Sequence, residues 1–319
     1  HPVALAGTNE AQSALTVAQL AETRACIALD PTVAQEMPEA SDFLMQFVDF
    51  RTGETSERIA TLFPGWERGE TVAFLSPHDD DVALGAGFLV RAVIENGGVP
   101  LVLVFCKGDA GYSHARDKAT IVRTRRRETA EAYRILGVEP ANIHRFGIPD
   151  LSLMPYVNRK VPGGAGIVDR FIKLLRSNKV GRTVIASPNF ENWDHTAVFS
   201  LGMYCAPQAG DPILADLGEP CVIRSGLIYA VWGDFGPAGV AAGGLRAEAG
   251  ILAGENEERL VREALGAFVS QAAVMENTAA RHRESRRGPE GYLELYQRAG
   301  VREPIDYTAY FERIRKGRV

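Results

Sequence analysis

Two short runs of the chain hold side chains that could do chemistry together. The first, Ser76-Pro77-His78-Asp79-Asp80-Asp81, sets one imidazole beside three consecutive carboxylates. One aspartate at a strand-to-helix junction suffices to cap the helix and answer its positive end. Three in a row repel one another and require a cation or a proton between them. His78 adds the nitrogen donor that zinc favours, so the run reads as part of a mixed nitrogen and oxygen metal site. The second run, Asn192-Trp193-Asp194-His195, lies at the end of another apolar segment. A single histidine at a helix start is more often structural. Brought beside the first run, however, two histidines and an aspartate make the three protein ligands of a catalytic zinc, with one position left for water. Gly85-x-Gly87 is not a dinucleotide loop, because Val90 stands where the third glycine would be.

The elements around these runs explain how they could meet. Thr71–Ser76, Leu101–Phe105, Ile143–Gly147, Arg182–Ala186 and Val222–Trp232 read as strands. Val82–Asn96, Lys118–Gly137, Val168–Ser177 and Asp194–Cys205 read as helices between them. Strand and helix alternate, and the strands are almost continuously apolar. That pattern predicts a Rossmann-like α/β fold, a mostly parallel sheet with helices on both faces. In such sheets ligands bind beyond the carboxyl ends of the strands, where both runs fall. Ahead of this pattern, residues 1–68 are expected to form a helical N-terminal extension. Asn9–Leu29 would supply one helix, ended by Pro31, and Phe43–Phe50 a short second one. Near the other end, Glu255–Val274 is expected to be an amphipathic helix that packs on the domain.

Composition narrows the function classes. The 319 residues are 46% hydrophobic and 24% charged, with a formal net charge of -5. A globular chain of this length can bury a large core, and its acidic balance argues against nucleic acid as a partner. The basic run Arg123–Arg127 reads as a solvated helix face. Four scattered cysteines, Cys26, Cys106, Cys205 and Cys221, form no metal-knuckle spacing, and Cys106 sits in an apolar run. No stretch of about 18 apolar residues marks a membrane span, and a cytoplasmic location is expected.

With these residues in hand, the chain resembles the LmbE-like, or PIG-L, family of N-acetylglucosaminyl deacetylases. Pro77-His78-Asp79-Asp80-Asp81 resembles the family's A-H-P-D-D-E signature, and Asn192-Trp193-Asp194-His195-x-Ala197-Val198 resembles its H-P-D-H-R-A-V. Lys107-Gly108-Asp109-Ala110-Gly111 is similar to the glycine loop after the second strand. Arg125-x-x-Glu128 with Leu136-Gly137-Val138, Gly147-Ile148-Pro149-Asp150 and Ser270-Gln271 are similar to further family motifs, over residues 70–295.

The resemblance implies one zinc-dependent domain over residues 69–319 that removes an acyl group from an N-acylated amino sugar, with Fe2+ as another possible metal. It implies His78, Asp81 and His195 as metal ligands, Asp80 as general base, and Arg125 as a substrate contact. A frame shifted by one residue along the three aspartates would exchange these roles. Asn192 replaces a family histidine that acts on the oxyanion or as an acid. It can donate a hydrogen bond to an oxyanion but delivers no proton, and Asp194, which orients that histidine in relatives, is expected to lose its partner. His114 and Asp109, in the loop after the second strand, are then candidate proton donors near the substrate. Two other readings stay open: a metal-bearing sugar-binding protein with lost or altered catalysis, and an amidohydrolase acting on a non-sugar amide. Met154–Gly166 and Gly233–Gly244 are the segments expected to rim the site.

Overall fold

The computed structural model describes residues 44–189, 191–232, 235–236, 243–302 and 307–317. Five strands make the parallel half of its sheet: β3 (Thr71–Ser76), β4 (Val99–Cys106), β5 (Ile143–Ile148), β8 (Val180–Ala186) and β9 (Ser225–Tyr229). Between them run α1 (Asp81–Glu95), α2 (Ile121–Ile135), α3 (Val168–Ser177) and α4 (Trp193–Ser200). Parallel strands covered on both faces must be apolar on both, and their alternation divides two cores. Val72, Phe74, Val102, Val104 and Val184 join α1 and α2 in one. Ala73, Leu75, Leu101, Leu103 and Ile185 join α3 and α4 in the other. The order within this half is β9-β8-β3-β4-β5. The chain therefore moves outward from β3 through β4 to β5, then returns to β8 on the opposite side. That reversal opens a crevice at the carboxyl ends of β3 and β8, where both sequence runs lie.

The sheet continues past β9 in antiparallel fashion through β12 (Gly291–Ala299), β10 (Ala249–Ala253), β1 (Gln46–Asp49) and β2 (Glu54–Ser56), with the short β11 (Arg287–Gly288) beside β12. A small hairpin, β6 (Lys160–Val161) and β7 (Gly164–Ala165), stands apart. Within the span 43–50, where a short helix is expected, the chain forms strand β1 at Gln46–Asp49, and β1 and β2, both N-terminal to residue 69, are hydrogen-bonded into the same sheet. The reason is the burial pattern: Met45, Phe47 and Asp49 are buried and alternate with more exposed neighbours, a period of two. The expected helix over residues 9–29 lies outside the described residues.

The helix expected over 255–274 is divided. α5 (Glu255–Gly266) ends at a 3-10 turn, and α6 (Ala272–Arg286) starts after it. A last helix, α7 (Thr308–Arg315), closes the described chain. No helix among the described residues is long and apolar enough to cross a membrane. Cys106, Cys205 and Cys221 are free thiols.

Candidate metal centre

β3 delivers the first run and α1 fixes it. Asp80 is the N-cap residue of α1 and Asp81 its first residue. The Asp81 carboxylate turns back to accept a hydrogen bond from the His78 backbone N–H at 2.7 Å, which closes the turn and sets Asp81 against the imidazole. β8 and α4 fix the second run. Asn192 caps α4 with its side-chain oxygen, which accepts the Asp194 N–H at 2.9 Å. His195 stands in the first turn of α4 and is 2% exposed.

The two runs converge. His78 Nδ1 lies 3.3 Å from Asp81 Oδ2, and His195 Nε2 lies 3.5 Å from the same oxygen. One donor atom from each of His78, Asp81 and His195 lies within 4.8 Å of the others. Donors bound about 2.0–2.2 Å from a tetrahedral cation stand roughly 3.3–3.6 Å apart, so the three fit one ion. The other His78 nitrogen, Nε2, is 3.2 Å from Asp194 Oδ2. A carboxylate that holds the far nitrogen fixes the tautomer and leaves Nδ1 to bind metal.

Asp194 has therefore not lost a partner. Fully buried, it also accepts the backbone N–H groups of Leu151 at 2.6 Å and Leu153 at 2.9 Å. His78 and Cys106 form a second conceivable metal group with Asp194. That set fits less well, because burial pushes the Cys106 thiol up to about 12, and a protonated thiol is a poor ligand.

The charge around the histidines also fits a cation. Asp79, Asp80, Asp81, Asp194 and Glu191 gather there, answered by two guanidiniums, Arg125 and Arg145. Both are committed to Asp79 and Asp80: Arg125 Nε is 3.2 Å from Asp79, its Nη2 is 3.4 Å from Asp80, and Arg145 bonds Asp79. Burial opposes ionisation of Asp81, yet His195 and His78 outweigh it and hold its carboxyl well below the usual range. Burial likewise opposes the charge on His78, but the hydrogen bonds of Asp194 and Asp81 prevail and raise its pKa. Burial lowers that of His195. For Asp80 burial dominates and raises the carboxyl above its ordinary value, against the pull of Arg125. A raised carboxylate is a better proton acceptor.

Arg125, expected as a substrate contact, is 3% exposed and stacks its guanidinium 5.3 Å over the Phe268 ring. The cause is Asp79. It occupies the position that is proline in the resembled motif, and its carboxylate takes Arg125, Arg145 and the Thr129 hydroxyl. Gly108 makes this possible: at φ +78° it lies so close that a Cβ would meet Asp79 Oδ2 at 2.8 Å.

The remaining motif residues tie the rim together. Asp150 accepts the N–H groups of Gly108 and Ala110, and Asp109 accepts that of Asp150. Glu128 holds Ser270 through two hydrogen bonds, of 2.6 and 2.7 Å. Gln271 bonds the Gly111 carbonyl. Asp109 is thus a loop clamp, also 2.9 Å from Lys107 Nζ. His114 lies exposed before a 3-10 turn, and no contact among the described residues joins it to the cluster.

Sequence reasoning missed Glu191. Its carboxylate lies 3.5 Å from His195 Nε2 and its side chain is 8% exposed. Its position four residues before a ligand-type histidine was the available signal. Of the expected rim segments, Met154–Gly166 carries a 3-10 turn and the β6–β7 hairpin. Most of residues 233–244 lie outside the described residues.

Comparison with known proteins agrees with this architecture. Residues 73–206 match the family model PIG-L, described as GlcNAc-PI de-N-acetylase. No curated protein matches the chain. Among solved structures, N,N'-diacetylchitobiose deacetylase from Pyrococcus horikoshii superposes with a TM-score of 0.59 at 18% identity, covering 72% of this chain and 83% of that one. The conserved protein TT1542 from Thermus thermophilus gives 0.56 at 20% identity, over 74% and 98%. GalB, the 4-carboxy-2-hydroxymuconate hydratase from Pseudomonas putida, gives 0.54 at 17% identity, over 74% and 99%. At these identities the likeness establishes the fold. The PIG-L (LmbE-like) match covers residues 73–206, the part of the chain that holds both runs.

Proposed function

We propose that this chain is a divalent-metal hydrolase that removes the acyl group from an N-acylated amino sugar. The observation that carries the reading is the convergence of His78, Asp81 and His195 at one point of the crevice, with the Asp80 carboxylate near enough to Asp81 and His78 to feel their charge. A deacetylase and a hydratase share this fold, so the reaction is read from side chains and not from topology.

A cation held by His78, Asp81 and His195, zinc or another divalent ion such as Fe2+, would supply a water that ionises near neutral pH and a Lewis acid for the amide carbonyl. Asp80 would accept a proton from the attacking water and pass it to the departing amine. Arg125, 3.4 Å from Asp80, fixes the orientation of its carboxylate. Asp194 holds His78 in the ligating tautomer. The Asn192 oxygen is occupied in capping α4, which leaves its NH2 group to donate to the oxyanion. The proton donor to the amine is then Asp80 itself, and the reading needs neither His114 nor Asp109.

An amine-release assay tests this. Purified protein loaded with zinc or Fe2+ should free amine from N-acetylglucosamine derivatives and lose that activity on chelation. Release from simple acyl amides but not from sugars would move the reading to a non-sugar amidohydrolase. Metal without any release would leave a binding protein.

A further inference from the structure

We infer that Arg286 and Glu294 are a positioning pair for the metal-binding turn: they splice a break in α1 and so fix where Asp80 and Asp81 stand. The inference rests on the metal reading above and extends it to two residues far along the chain. α1 is not one continuous helix. Ala86 has φ −145° and ψ 25°, well outside helical geometry. The segment Asp81–Gly85, roughly one turn, is thereby separated from Gly87–Glu95. In an unbroken helix the Phe88 N–H would bond the Leu84 carbonyl. Here Glu294, from β12, accepts the N–H groups of Phe88 at 3.2 Å and Leu89 at 3.1 Å, as a capping carboxylate does at a helix start. Arg286, the last residue of α6, donates to the Leu84 carbonyl where the first segment ends. The two side chains face each other at 3.5 Å, and both are largely buried. Such an insertion into the helical ladder is a recognised cause of a kink.

The break is written into the sequence as Gly85-Ala86-Gly87. A Cβ at Gly85 would meet the Ala230 carbonyl at 2.6 Å, and one at Gly87 would meet Val261 at 2.8 Å. Both glycines thus permit a close approach, one to the end of β9 and the other to α5.

The first segment is too short to hold its own shape, so its moorings decide where its carboxylates lie. Upstream it continues from β3, and Asp81 bonds the His78 N–H. Downstream it is held by Arg286 at Leu84. His195 stands on α4 and does not share that downstream mooring. Loosening the pair would therefore move Asp81 relative to His195. Metal–ligand distances tolerate only about 0.2 Å of error, so a turn that wanders costs affinity.

Metal affinity and amide hydrogen exchange together test this on the full chain. Co2+ titrated into the metal-free protein should bind about 10-fold more weakly to Glu294→Gln and Arg286→Met than to wild type. Arg286→Lys, which keeps the charge and a donor for Leu84, should regain most of that loss. Exchange should speed up over residues 82–89 in the two weakened variants and stay unchanged in α2 and α3. Arg182→Ala, which breaks a buried ion pair elsewhere, is the control and should leave both readings as in wild type. Thermal melting checks that each variant folds. Unchanged Co2+ affinity in folded Glu294→Gln and Arg286→Met would overturn the inference, leaving the pair a structural staple. An equal loss of affinity in Arg182→Ala would overturn it as well. A wild type that binds no Co2+ would remove the metal reading itself. The exchange data would then decide the splice alone, and the absence of a local rise would overturn it.

Discussion

The two ends of strands β3 and β8 carry buried charge in opposite proportions. Just ahead of β3, Glu70 meets Arg182 Nε at 2.9 Å and Arg224 Nη2 at 2.6 Å. Arg182 also donates to the Ser225 hydroxyl and the Pro64 carbonyl, and lies over the Phe63 ring. One carboxylate there has two guanidiniums. At the carboxyl end, five carboxylates face two guanidiniums and two imidazoles. The first end is complete as it stands and holds the sheet together. The second gathers an excess of carboxylates, which on the proposed reading a cation would answer, and buried groups of one sign in a crevice point to a functional site.

Substitutions at the two ends should separate these roles. The largest effect is expected from Asp80→Asn, which removes the proton acceptor and keeps all proposed ligands. Turnover should fall by about 10²–10⁴-fold in a steady-state assay while bound metal is unchanged. Simultaneous loss of metal would mean that the ligand frame is shifted by one residue. At the other end, Arg182→Ala leaves Glu70 buried without its main partner, and denaturant melts should show a loss of about 3–5 kcal/mol. Metal affinity should not change, and a change would erase the contrast between the ends.

Asp194→Asn should weaken metal binding by about 10–100-fold, measured by competition with a chromophoric chelator, because His78 loses its orienting carboxylate. The smallest effect appears only at acid pH. Burial raises the Glu70 carboxyl, but Arg182, the Glu67 N–H and Arg224 outweigh it and lower its pKa. A folded pKa below the unfolded one means that the unfolded chain takes up the proton first. The stabilisation is thus present above the ordinary glutamate range and is lost as pH falls through the folded value. Glu70→Gln should flatten that acid limb of the stability curve, and a limb as steep as wild type would place the titration elsewhere.

The parallel half of the fold was legible because its strands are buried on both faces and its helices show their period in the sequence. The antiparallel half was hidden by inward charge. β1 carries Asp49 at an inward position, answered by Arg298 Nη2 at 2.8 Å from far along the chain. The spacing of Phe43, Phe47 and Phe50 therefore imitated a helix. β12 carries Glu294, 1% exposed, which accepts the N–H groups of Phe88 and Leu89. No alternation rule anticipates a buried glutamate.

In the site, both runs and the motifs between them could be found, but not who holds whom. Asp194 pairs with His78, 116 residues away, and Arg125 is drawn inward by an aspartate standing where the resembled motif has proline. Glu191 escaped because it lies one residue ahead of the second motif. Such pairings are set by the topology that brings β3 and β8 together, which short motifs do not encode.

The central claim is that a divalent cation is gripped between these two strand ends, and metal content measures it most directly. Wild type, Asp80→Asn and Asp81→Asn, each loaded, desalted and analysed by plasma mass spectrometry, should hold about one, about one and essentially no ion per chain. A wild type that emerges metal-free, or an Asp81→Asn variant that keeps its ion, would contradict the account.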